Sequence, residues 1–226
     1  MLCREYALVK VFDGGYYAAP LCCRSWTCAY CRPARKREVM RAAAVGFPDT
    51  FITLTVNPND GTYAVYRAEQ LVKAWRKFVK FAKKYYGYPT IPYFAVFEAT
   101  KKGEPHLHIL CRVKWIDYKL LSQFMKAEIN APIVDIRRCW DARSAARYVG
   151  KYLGKKPAKF GTCKRYWQTR DYKKQDPEDN ERKTRKSEGW FLHETPIAVV
   201  IWRARDHGFT VTREGDIWKV LERAPP

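Results

Sequence analysis

The sequence predicts an α+β domain in which helices pack on a central antiparallel sheet. Three observations carry that expectation. Short β-branched and aromatic runs alternate with long amphipathic stretches. Two of the runs, PYFAVFEAT and HLHILCRVKW, are separated only by the polar turn KKGEP. Finally, 226 residues of which 47% are hydrophobic suffice for one sizeable core.

Each element has its own signal. FITLTVN (51–57) is an apolar, β-branched strand closed by Pro58 and the Asn-Asp-Gly turn residues 59–61. AEQLVKAWRKFVKFAKKYYG (68–87) sets Leu71, Val72, Trp75, Phe78, Val79 and Ala82 at helical spacing and stops at Gly87. PYFAVFEAT and HLHILCRVKW form a hairpin. YKLLSQFMKAEI reads as a second helix, APIVDIRRC as a further strand, and DARSAARYVGKYLGKK as a third helix with Asp141 at its N-cap. TPIAVVIWRAR is expected to be another strand. The chain then divides into a cysteine-rich N-terminal element integrated with the fold (1–45), a core (46–170), a charged linker or loop (171–189) and a strand-containing C-terminal segment packed on the core (190–226).

Charge points to the partner. Lys and Arg number 43 against 23 Asp and Glu, a formal +20, so a polyanion is expected, with nucleic acid ahead of an anionic membrane surface. No apolar run approaches the roughly 20 residues that span a bilayer. MLCREYALVKVFDGG lacks a signal-type apolar region, so a cytoplasmic protein without a membrane partner is expected. The bases are also clustered: Arg137 to Arg170 holds eleven Lys/Arg and one acid, Asp141, whereas residues 171–188 carry six of each sign. Within this patch Arg137, Arg138, Arg143, Arg147, Lys156, Lys164 and Arg165 are candidates to hold phosphates, and Trp167 to stack on an unpaired base.

Two clusters suit metals. In EPHLHIL, His106 and His108 stand two apart on a strand and so share a face, while Leu107 and Ile109 point the other way. Paired imidazoles are good divalent-cation ligands. Glu98 on the partner strand could supply the third ligand, with Glu104 in the turn as competitor. Such a set leaves coordination positions open for a phosphate and water. Near the N-terminus, Cys28-Ala-Tyr-Cys31 with Cys3 and one of Cys22 or Cys23 makes a four-thiolate set suited to structural Zn²⁺.

RYVGKYLGKK repeats Tyr-x-x-Lys in tandem: Tyr148 with Lys151, and Tyr152 with Lys155. On a helix these four side chains fall within an arc of roughly 100°. A phenol with a pKa near 10 is a poor nucleophile at neutral pH. A metal that polarises a phosphate and a lysine that orients it or protonates the leaving group would make it competent.

FITLTVNP, PHLHIL and YVGKYLGK, in that order, resemble the three motifs of the histidine-hydrophobic-histidine (HUH) endonucleases, in particular the rolling-circle replication initiators. The resemblance covers 51 to about 170. It implies a five-stranded antiparallel sheet of RNA-recognition-like topology and a Mg²⁺ or Mn²⁺ ion. It also implies nicking and rejoining of single-stranded DNA at a replication origin through a 5′-phosphotyrosine, with release of a 3′-hydroxyl. Carried over by position, His106, His108 and Glu98 resemble the metal ligands and Tyr148 and Tyr152 the paired nucleophiles of the two-tyrosine initiators of single-stranded DNA phages. No G-x-x-x-x-G-K-[ST] occurs, so unwinding is expected from a host helicase or an already single-stranded template, with a host polymerase extending the 3′ end. A relaxase or transposase of the same superfamily would use the same residues, and a non-enzymatic zinc-containing nucleic-acid-binding protein would explain the charge and cysteines but not the histidines and tyrosines.

Overall fold

The computed structural model describes residues 3–141, 147–149, 158, 160–173, 189–215 and 218–223. The described elements are β1 (Ala7–Phe12), β2 (Gly15–Pro20), α1 (Cys31–Ala44), β3 (Thr50–Thr55), α2 (Ala64–Tyr86), β4 (Tyr93–Ala99), β5 (Pro105–Cys111), α3 (Tyr118–Ile129), β6 (Val134–Arg138), β7 (Tyr166–Gln168), β8 (Phe191–His193), α4 (Ile197–Asp206), β9 (Phe209–Gly215) and β10 (Trp218–Arg223). Residues 147–149 are helical as well. None of the described helices is long and apolar enough to cross a membrane. The chain forms two compact units, Lys36–Lys174 and Met1–Arg35 with Gln175–Pro226.

The unit Lys36–Lys174 is built on an antiparallel five-stranded sheet in the order β6-β3-β5-β4-β7. β5 is central because its residues alternate between two buried environments. Leu107 and Ile109 join Ile52, Leu54, Ala95 and Phe97 on one face, where α2 and α3 contribute Leu71, Trp75, Phe78, Leu121 and Met125. Truncating one of these buried leucines to alanine would cost about 2–5 kcal/mol. α2 ends at Gly87, whose φ of +69° takes the left-handed C-cap conformation that a side chain disfavours. α3 is capped by Asp117, whose carboxylate accepts from the Leu120 N–H at 2.7 Å.

The core runs past the expected boundary at 170. Tyr172, assigned from sequence to the charged linker, is fully buried, donates to the Ala43 carbonyl at 2.7 Å and lies so close to Gly46 that a Cβ there would fall 2.2 Å from its ring. Residues 174–188 of the expected linker lie outside the described residues.

The unit Met1–Arg35 with Gln175–Pro226 has a second antiparallel five-stranded sheet, β8-β1-β2-β10-β9, which the sequence reading did not anticipate. The C-terminal strands pair with the N-terminal hairpin: Val220 opposes Tyr17 and Leu221 opposes Tyr16. TPIAVVIWRAR, expected as a strand, is instead the helix α4. Its β-branched composition mimics a strand, but Pro196 starts it and its buried residues Val200 and Ala204 stand four apart, the spacing of one helix face packed on Ala7, Val9 and Leu221.

Candidate metal centre and nucleophile

Register brings the two histidines and the glutamate together. Glu98 on β4 lies directly opposite His106 on β5, and Val96 opposite His108, so all three ligands point to the face away from α2 and α3. Glu98 and His108 are buried, and His106 is partly exposed. One ligand atom from each lies within 4.8 Å of the others, a group that could hold a metal ion. His108 Nε2 is 2.9 Å from Glu98 Oε2. Two neighbouring ligands bound at about 2.1 Å on an octahedral cation stand about 3 Å apart, so the donor set and its spacing fit a hard divalent ion.

Thr53, opposite His108 on β3, places its hydroxyl 3.1 Å from His108 Nδ1. With a cation on Nε2, Nδ1 must carry the proton and the hydroxyl accepts it. With the proton on Nε2, the hydroxyl donates to Nδ1. A threonine serves both states, as an outer partner of a metal-binding histidine should. The sequence reading missed this residue, although the Thr-x-Thr alternation in FITLTVN puts Thr53 and Thr55 on the histidine face. Glu104, the competing ligand, is engaged elsewhere. It grips Arg67 in a bidentate pair, Nε to Oε2 at 2.9 Å and Nη2 to Oε1 at 2.8 Å, and Arg67 also donates to Asp60 at 2.9 Å. Burial opposes the charge on Arg67, but Asp60 and Glu104 keep its pKa above the ordinary value.

Tyr148 reaches the same face. Phe51, two residues before Thr53, stacks on His108 with ring centroids 5.6 Å apart and packs on Tyr148 at 4.9 Å. The phenol oxygen accepts a hydrogen bond from Arg137 Nη1 at 3.2 Å, and Asp135 holds the Nε of that guanidinium at 2.7 Å. The Tyr148 oxygen and then Asp135 raise the Arg137 pKa above its ordinary value. Tyr148 is 36% exposed, whereas its neighbour Val149 is fully buried and anchors this turn. Tyr152, Lys151, Lys155, Arg143 and Lys156 lie outside the described residues.

The remaining candidates separate. Arg137, Arg138, Arg147 and Lys164 are exposed, and Arg165 is partly buried. Trp167 faces the helix side, packed on Phe97 at 5.6 Å as part of the core periphery, because alternation on β7 sends Tyr166 and Trp167 to opposite faces. Trp140, which the sequence reading passed over, is 79% exposed, and the Arg138 guanidinium lies over its ring at 4.5 Å.

In the other unit, Cys3, Cys23, Cys28 and Cys31 bring their sulfurs within 4.8 Å of one another and could hold a metal ion. Cys31 Sγ is 3.3 Å from Cys3 Sγ and 3.7 Å from Cys23 Sγ. Tetrahedral zinc with Zn–S bonds of about 2.3 Å sets sulfurs about 3.8 Å apart, so the set fits. Arg24, with φ +53°, turns the chain just after Cys23, and the Ser25 N–H points at Cys23 Sγ at 3.4 Å. Cys22 is not in the cluster: adjacent residues cannot both point into one small site. The Cys31 backbone N–H, the largest influence, draws the Cys28 thiol down to about 7.

Residues 49–157 match the family model of the Replication-associated protein ORF2 group, so this stretch, which includes β3 to β6 and the Tyr148 turn, is similar to replication-associated proteins. No curated protein and no solved structure matches the chain.

Proposed function

We propose that this chain is a replication initiator that nicks and rejoins single-stranded DNA at a rolling-circle origin, using tyrosine as the nucleophile. One observation carries the reading: the Phe51 ring links His108 to Tyr148, so that a candidate cation site and a phenol share one sheet face. The match of 49–157 to replication-associated proteins supports the biological setting.

Glu98, His106 and His108 would hold Mg²⁺ or Mn²⁺, which supplies Lewis-acid polarisation of the scissile phosphate. The residues of the chain do the rest. Arg137 stabilises the phenolate of Tyr148, whose proton passes to solvent water. The phenolate attacks phosphorus, the bond to the 3′ oxygen breaks, and that oxygen takes a proton from Lys151 or Lys155, leaving a 5′-phosphotyrosine and a 3′-hydroxyl. Attack by a 3′-hydroxyl on the phosphotyrosine reverses these steps and rejoins the strand. Tyr152 supplies a second nucleophile while the first is occupied. Zn²⁺ on Cys3, Cys23, Cys28 and Cys31 would be structural. A host helicase and polymerase would complete replication.

The test is a covalent-adduct assay with a single-stranded oligonucleotide labelled on the 3′ side of the nick. The labelled strand should become protein-linked with Mn²⁺ or Mg²⁺ and stay free in excess chelator. Cleavage without any protein-linked product would overturn the tyrosine mechanism.

A further inference from the structure

The outer side of the helix layer carries a row of aromatic rings that the sheet core does not use. Phe81, Tyr85 and Trp115 are 37%, 62% and 57% exposed. With Phe124 and Tyr86 they form a continuous row: centroid separations are 5.5 Å from Phe124 to Phe81, 5.6 Å from Phe81 to Tyr85, 4.9 Å from Tyr85 to Tyr86 and 5.8 Å from Tyr86 to Trp115. Tyr118, at the start of α3, is 54% exposed. α2 and α3 cover the sheet face opposite to Glu98, His106 and His108, so this surface is distinct from the candidate metal centre.

The row lies in positive surroundings. From Lys73 to Tyr88 there are six Lys/Arg and no acid. Lys80 and Lys84 are exposed on α2, and Lys114 and Lys119 are exposed beside Trp115 and Tyr118. The intervening acid, Asp117, has its carboxylate on the α3 N-cap. Between Phe81 and Tyr118 every exposed large apolar side chain is aromatic. An amphipathic partner helix needs aliphatic pockets, whereas flat rings flanked by ammonium groups suit unpaired bases on a phosphate backbone.

We infer that this surface is a second binding site for single-stranded nucleic acid, with bases stacking on Tyr85 and Trp115 and phosphates held by Lys84, Lys114 and Lys119. The assignment to DNA rather than RNA rests on the proposed function. β5 advances about 17 Å from His106 to Cys111 before the chain reaches Trp115, so a strand must be longer than the cleaved segment to engage both places. The site would keep a flank of the cut strand on the protein after the nick.

The experiment measures fluorescence anisotropy of a short oligonucleotide spanning only the nick site, of a longer single strand and of a duplex, against the full chain and its Tyr85→Ala/Trp115→Ala and Lys84→Glu/Lys119→Glu variants. The altered residues are exposed, and circular dichroism checks the fold. Both variants should bind the longer strand roughly 10-fold more weakly and the short one unchanged, and the lysine variant should show a shallower salt dependence. Wild-type affinity of both variants for the longer strand, or an equal loss for duplex, overturns the inference, as does selective loss of an acidic peptide instead. Adduct formation on the short oligonucleotide separates the two readings. Adduct absent with the affinity loss present removes the nickase and keeps this site, and the converse removes only the site.

Discussion

His108 Nε2 and the Glu98 carboxylate stand 2.9 Å apart across neighbouring strands, both almost wholly buried at 3% and 8% exposure. A buried carboxylate beside an imidazole, with a second imidazole on the same face, is a costly arrangement that a bound cation offsets. Cleavage should therefore require a divalent ion, and His106→Ala or His108→Ala should abolish it while circular dichroism stays unchanged. Full activity in chelator would remove the metal reading.

Thr53→Val deletes the hydroxyl on His108 Nδ1 and keeps the side-chain shape. The apparent affinity for Mn²⁺ should fall about 10–100-fold, as expected for loss of an outer partner. A metal titration that does not move would show that the hydroxyl does not orient the ring.

Tyr148→Phe and Tyr152→Phe should each keep some nicking or joining, and the double variant should form no adduct. If peptide mapping traces all adduct to one tyrosine, the enzyme works with a single nucleophile. Arg137 is expected to act only with Tyr148, because it donates to that oxygen. Arg137→Ala should therefore slow wild-type nicking and leave Tyr148→Phe no slower than before.

Trp140 presents its ring to solvent over Arg138, at the end of the strand that carries Arg137. Stacking of one base contributes about 1–3 kcal/mol, so Trp140→Ala should raise KM roughly 10-fold and leave kcat nearly unchanged. A drop in kcat with KM constant would instead place Trp140 in a structural role.

About one zinc per chain is expected, lost in Cys23→Ser and retained in Cys22→Ser, since only Cys23 joins the thiolate cluster. Elemental analysis checks this directly. Equal zinc content in both variants would point to a cluster that either cysteine can complete.

Arg67→Ala should destabilise the fold by about 3–5 kcal/mol, because Glu104 would keep a largely buried charge without its partner. Asp60 is held below its ordinary pKa by the Thr62 hydroxyl first and by Arg67 after it. Its stabilising contribution is thus complete above the unfolded carboxylate value and is lost as pH falls through the lower folded one. Denaturant midpoints measured from neutral to acid pH should show a smaller acid loss for Asp60→Asn than for wild type.

Much of the fold and of the site is legible in the chain because it depends on local period. Alternation places His106 and His108 on one face and Leu107 and Ile109 on the other. Helical spacing identifies α2 and α3, the latter to its last residue. The short KKGEP turn sets the hairpin register that brings Glu98 opposite His106. α4 departs from its local pattern because its branched side chains signal a strand, and only packing on β1 and β10 reveals which period is used.

By itself, the sequence determined the basic patch, the imidazole pair with its carboxylate, the thiolate set and the tandem tyrosines, since each is a matter of residue type at fixed spacing. Tertiary structure alone decided the pairings between residues far apart in the chain. It set Thr53 behind His108, committed Glu104 to Arg67, chose Cys23 over Cys22 and turned Trp167 inward, while Trp140 stayed outside. It also joined the C-terminal strands to the N-terminal hairpin. The physical reason is that strand register and burial are set by the whole sheet: a side chain's partner is whatever the neighbouring strand presents, and no local pattern encodes the neighbour.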